Sequence, residues 1–183
     1  MTHYKKTTTE KNRLTDFIEK ESSNGDGLTL LVKAAFILIL ALFLVFIYNR
    51  NSATDVAKED ITNALSKNTD VEAVMSPASD RDLMQFLGLD ASKYEFTIYY
   101  RNTTALAVDE LLVIKAKDVS SLAAVSDAVQ KRIDSQIKAY EGYGPEQVKL
   151  LKSAVTLKKG DYYFYSTATN AEKYKEVLLD VIQ

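Results

Sequence analysis

Acids and tyrosines supply most of the residues in this chain whose types and spacing can do chemistry. Asp109 and Glu110 stand side by side before the apolar run "LLVIKAK", and paired carboxylates can act as acid and base or hold a cation. Neighbours on a strand point to opposite faces, so joint action by this pair would require a bulge. Arg132 falls about 80° from the centre of an apolar helical stripe, where it can reach solvent or one of the two carboxylates. The reading preferred for Asp109, Glu110 and Arg132 is an ion pair that specifies the fold, ahead of a catalytic group. "YYFY", Tyr162 to Tyr165, together with Tyr99 offers an aromatic surface for peptides or glycans, although aromatics also suit any buried strand. The densest stretch is "YEGYGPEQVKLLKSA", Tyr140 to Ala154, which places Tyr143, Gly144, Pro145 and Gln147 between two apolar helical patterns.

Composition narrows the chemistry further. Cysteine is absent and His3, in a polar tail, is the one histidine. Thiol nucleophiles, disulfides, zinc sites and histidine-based triads therefore lose their usual residues. No catalytic, metal-ligating or cofactor-binding residue is expected, and the chain is not expected to be an enzyme. Residues 1–50 carry seven Lys/Arg against five Asp/Glu, while residues 51–183 carry sixteen against twenty. Such a mildly acidic main region lacks the cationic surface that neutralises phosphates, so nucleic acid is not an expected partner.

From Leu28 to Tyr48 the chain reads "LTLLVKAAFILILALFLVFIY". As a helix this run would extend about 31 Å, close to the hydrocarbon thickness of a bilayer. Lys33 can snorkel to one boundary and Tyr48 suits the other. A retained span is expected over a cleaved leader, because the preceding segment exceeds a normal charged n-region and "NRNSATDVA" lacks a small-x-small cleavage pattern. Lys5, Lys6, Lys11, Arg13, Lys20 and Lys33 outnumber Arg50 and Lys58 on the far side, which predicts a cytoplasmic N-terminus and an extracytoplasmic C-terminal region. Leu14, Phe17 and Ile18 share a helical spacing in the tail, which otherwise reads as solvated and disordered.

The remaining elements must position the candidate residues. Ser52 or Thr54 is expected to cap a stalk helix with a stripe of Val56, Ala57, Ile61, Ala64 and Leu65. A short helix follows, with Ser79 as cap and Gly88 as stop. "KYEFTIYYR" alternates as a strand, "LAVDELLVIKAK" is its antiparallel partner, and Asp118 caps a long helix through Tyr140. "AVTLKKGDYYFYSTA" makes a second hairpin around Lys159, Gly160 and Asp161, and Asn170 caps a final helix. The expected fold is α+β: one antiparallel sheet of about four strands, ordered strand-strand-helix-helix-strand-strand-helix, with helices on one face. The expected segments are a tail over 1–27, the span over 28–48, a stalk and linker over 49–90, and the domain over 91–183. In the corner, Gly142 suits a left-handed helix end and Pro145 the first position of the next helix, so its oddities are chiefly structural.

"VDELLVIKAKD", "KRIDSQ", "YEGYGPEQVKLLKSA" and "KKGDYYFY" together resemble the bacterial domain-of-unknown-function family 4358, from about Tyr94 to the C-terminus. That family is typically a lipoprotein or single-span exported protein of Gram-positive anaerobes. The resemblance implies characteristic positions at Asp109, Glu110, Arg132, Tyr143, Gly144, Pro145, Gln147 and Gly160, and an envelope location. It implies no activity. This chain lacks the lipidated cysteine of many members, so the membrane span would be its anchor. The expectation is an anchored interaction or ligand-binding module whose partner is an envelope protein or glycan. An envelope enzyme using Asp, Glu or Tyr, or a signalling or structural subunit of a membrane complex, is the alternative.

Overall fold

The computed structural model describes residues 27–47 and 52–183, which fall into two units divided after Arg50. The tail, with Leu14, Phe17 and Ile18, and the boundary residue Tyr48 lie outside the described residues. The first unit contributes helix α1, Gly27–Ile47, whose 21 residues are long and apolar enough to cross a membrane. Its large aliphatic side chains are exposed all round, as expected of a helix with no polar face.

The second unit runs α2 (Lys58–Asn68), α3 (Val71–Val74), β1 (Ser76–Pro77), α4 (Asp80–Leu87), β2 (Tyr94–Arg101) and β3 (Glu110–Ala116). It continues with α5 (Leu122–Tyr140), α6 (Pro145–Lys152), β4 (Val155–Lys159), β5 (Tyr162–Ser166) and α7 (Ala171–Ile182). The fold is α+β with one open antiparallel sheet of five strands in the order β1-β2-β3-β5-β4. The two hairpins join through their inner strands, with Leu112 opposite Tyr165 and Ile114 opposite Tyr163. The strand beyond the expected four is β1, two residues paired to Tyr100 and Arg101. Its Pro77 is tolerated because an edge strand can spare an N–H.

Helices cover both faces of the sheet instead of the single face expected. Leu112, Ile114, Tyr99, Tyr163 and Tyr165 meet the side chains of α4, α5 and α6. Leu111, Val113, Ile98 and Phe164 meet those of α2 and α7 on the other side. The cause is visible in β3, where all seven residues are buried. A strand without polar alternation needs cover on both faces. A register shift between Tyr94 and Phe96 sends Tyr94 to the α5 side while Phe96 packs on the α2 side. The alternation expected to place both on one face is broken there by the extra residue.

Within the expected stalk and linker over 49–90, the described residues 52–90 do not stand apart from the domain. Ile61 and Leu65 of α2 are fully buried against the sheet, and Leu83 and Leu87 of α4 are buried on the opposite face. The helix starts after Ala57 with no side-chain cap. The Thr54 N–H instead donates to the Ile182 carbonyl at 2.8 Å. The Ser79 cap and the Gly88 stop are present, Ser79 in a capping box with Asp82 and Gly88 at φ +68°. Asp118 caps a 3₁₀ turn, Val119–Ser121, that leads into α5. Asn170 does not cap α7 with its side chain, which donates to Asp70 at 2.8 Å.

Candidate functional site

The helix α5 lays Leu122, Val125, Val129 and Ile133 on the sheet. Arg132, next to Ile133 and off that stripe, reaches the first residue of β3. Its Nη2 donates to Glu110 Oε1 at 2.6 Å, and its Nε donates to Oε1 at 3.2 Å and Oε2 at 3.4 Å. The Glu110 side chain is 3% exposed and that of Arg132 18%. The Tyr165 phenol adds a donor to Glu110 Oε2 at 3.4 Å. Glu110 is also fixed through its backbone: its N–H donates to Thr167 Oγ1 at 3.1 Å, and its carbonyl accepts from the Thr167 N–H at 3.0 Å. Burial works against the Arg132 charge, but the hydrogen bonds and charge of Glu110 outweigh it and raise the guanidinium pKa. Burial, and then the Glu110 charge, push the phenols of Tyr99 and Tyr165 upward, which keeps both protonated.

Two further residues complete this cluster, and neither is singled out by the sequence reading. The guanidinium carbon of Arg101, at the end of β2, lies 4.1 Å from the centroid of the Phe86 ring on α4. The guanidinium carbon of Arg132 lies 5.1 Å from the same centroid. The signal for Arg101 was its place in the alternation of β2, two residues beyond Tyr99. Its partner on α4 has no sequence signature.

Asp109 and Glu110 do not act together. Asp109 is half-buried, burial raises its pKa, and its charge acts on Tyr174, a residue of the α7 side. Strand alternation explains the separation. The corner residues belong to the far end of α5, about 12 Å along the helix from Arg132. Gly142 sits at φ +94°. A Cβ on Gly144 would meet Tyr140 Cδ1 at 2.8 Å, and Pro145 occupies the first turn of α6. Tyr143 is 64% exposed and rests against the Tyr140 ring, 5.5 Å between centroids, while Gln147 is half-exposed. Gly160 makes the β4–β5 turn at φ +56°, and a Cβ there would meet Ala53 N and Cβ at 2.9 Å.

Tyr99 and Tyr162–Tyr165 form no aromatic surface and follow the buried-strand alternative instead: all five side chains are core and none is more than 5% exposed. A second charged cluster went unread in the sequence. Lys115, 2% exposed at the other end of β3, bonds Asp55 and, at 2.9 Å, Glu95. Its ammonium lies 5.8 Å from the Tyr162 ring centroid and 5.9 Å from that of Phe96. Burial opposes that charge, yet the two acids raise its pKa. Among the described residues, no three acids or histidines converge as a cation site.

A model of the family described as a domain of unknown function (DUF4358) matches residues 67–168, more than half of the chain. The match begins within α2, earlier than the start near Tyr94 that the motifs implied, and ends at Ala168, ahead of α7. Comparison with curated proteins and with solved structures gives no match.

Proposed function

This chain belongs to the DUF4358 family of domains of unknown function, and we propose that it is a single-pass membrane protein of the bacterial envelope whose outer domain is an interaction or ligand-binding module. The N-terminus is cytoplasmic in this reading and residues 51–183 are extracytoplasmic. The observation that carries it is the exposed apolar helix Gly27–Ile47, separated by only a few residues from a folded unit. The Lys/Arg excess before that helix supports the orientation. Binding is favoured over catalysis because Glu110 is engaged by Arg132 and the neighbouring phenols are held protonated.

Protease added to intact protoplasts tests the topology: the outer domain should be digested and the tail before α1 spared. The intact mass of the mature protein separates a retained anchor from a cleaved leader, since loss of the residues through α1 would make the helix a signal. Photo-crosslinking from exposed Met84 on α4 in native membranes, with exposed Lys173 on α7 as the control position, tests the module itself. Equal yields from both positions would count against a binding surface beside α4.

A further inference from the structure

We infer that Arg101, Phe86 and Arg132 form a binding site for a carboxylate group, which names the ligand chemistry of the module proposed above and rests on that reading. Two guanidinium groups lie over one aromatic ring, at 4.1 and 5.1 Å from its centroid. The one carboxylate among them, Glu110, is committed to Arg132 through three donor contacts. Arg101 makes no ion pair among the described residues, and its Nε is buried with no hydrogen-bond partner. Asp82 is the acid whose charge is felt nearest along α4, but its Oδ2 accepts from the Ser79 N–H at 2.9 Å and hydroxyl at 2.6 Å. These bonds leave the Asp82 charge in place, so the positive charge left over by Arg101, Arg132 and Glu110 is balanced only from a distance, without an ion pair to Arg101.

The Tyr99 hydroxyl, on a residue 5% exposed, lies in the same cluster and feels Glu110, Arg132 and Arg101 together. The buried Arg101 Nε–H without an acceptor costs free energy that a bound oxyanion recovers. Stacking on Phe86 fixes the plane of the Arg101 guanidinium, whose Nε–H has no acceptor, and a guanidinium so held suits bidentate capture of a planar oxyanion. A monoanionic carboxylate can pair with Arg101 directly, which Asp82 does not. A phosphate would bring additional negative charge toward Glu110. Arg132 and Glu110 already make the same contact within the chain. Phe86, Arg101 and Arg132 are each partly exposed, so the edge of the cluster is open to a ligand.

The test is a titration of the full chain in detergent micelles with N-acetylglycine, following the Nε–H signals of the arginines by ¹H–¹⁵N correlation spectra. Arg101→Lys and Arg132→Lys assign the signals, and sodium chloride at matched ionic strength is the control. The Arg101 signal should move saturably, and affinity should fall about tenfold in Arg101→Lys, the loss of one charge-assisted contact. Phe86→Leu should show a similar loss without altering any charge, and Arg81→Lys should leave affinity unchanged. The inference is overturned by movement no larger than that with chloride, by equal affinity in Arg101→Lys and Phe86→Leu, or by tighter binding of inorganic phosphate. None of these outcomes depends on membrane topology, so failure here and failure of the protoplast experiment are distinguishable.

Discussion

Replacing the two partners of the Glu110–Arg132 pair should give unequal costs, because the two side chains differ in access to water. Arg132→Met leaves a carboxylate whose side chain is 3% exposed, with only the Tyr165 phenol at 3.4 Å for compensation. Breaking a buried pair in this way costs about 3–5 kcal/mol, and the upper half of that range is expected. Glu110→Gln leaves Arg132, whose 18% exposure lets the guanidinium turn toward solvent; about 2–3 kcal/mol is expected. The double variant removes both charges, so its cost should fall short of the sum by at least about 2 kcal/mol. Urea unfolding followed by tyrosine fluorescence suits the protein, which has eleven tyrosines and no tryptophan. A domain in the upper part of the ordinary range, about 10–15 kcal/mol, retains a measurable folded baseline in each variant. Additive costs, or a larger loss from Glu110→Gln than from Arg132→Met, would refute the assignment of burial and pairing.

Four other outcomes follow from the same geometry. Gly160→Ala meets both a left-handed φ and the Ala53 backbone at 2.9 Å, so thermal unfolding should report a loss of about 1–3 kcal/mol. Asp55→Asn leaves Lys115 paired with Glu95 and should cost under about 1 kcal/mol; adding Glu95→Gln isolates a buried ammonium and should cost about 3–5 kcal/mol by urea denaturation. The Tyr174 phenol donates to Asp70 at 2.7 Å and holds that carboxyl below its usual 3.8, so its contribution is complete above pH 3.8 and lost as pH falls through the lowered value; the stability gap between the parent and Tyr174→Phe should therefore narrow in acid titrations. In the corner, Gly142→Val should cost about 1–3 kcal/mol for its left-handed backbone, whereas Gln147→Ala should stay within about 0.5 kcal/mol in thermal unfolding.

What the sequence made legible was local. The hairpins, the long helix, the Ser79 cap and Gly88 stop, and the Gly142–Pro145 corner each rest on contiguous residues and come out as expected. Arg132 found Glu110 because one helix and one strand sufficed to bring them within reach. What stayed hidden depends on residues far apart in the chain. Strand β1 is two residues long and carries no period, so only its pairing with Tyr100 and Arg101 reveals it. The stacking of Arg101 on Phe86 needs α4 to settle beside β2, which no spacing encodes. The bond from Lys115 to Asp55 spans sixty residues. The all-apolar interior of "ELLVIKA" argues for cover on both faces, and that outweighs the order of two hairpins each followed by helix, from which single-face cover was inferred.

The two charges of β3 explain how one strand can be covered twice without ambiguity. Glu110 and Lys115 have opposite parity along the strand, so they emerge on opposite faces and at opposite ends. Each is almost fully buried and each is compensated from outside the sheet: Glu110 by α5, Lys115 in part by the segment before α2. The apolar residues between them, Leu111 to Ile114, are interchangeable in kind and would accept either layer of helices. An exchanged or slipped arrangement would leave a carboxylate or an ammonium buried without a partner, at a cost of several kcal/mol. The same segment is held elsewhere: the Val56 N–H donates to the Tyr162 hydroxyl at 3.1 Å, and Ala53 closes over Gly160. Residues 53–56 are thereby fastened to the sheet before α2 begins. The ion pairs thus contribute fold specificity more than net stability. That is why removing both members of the Glu110–Arg132 pair should cost less than the two single losses added together.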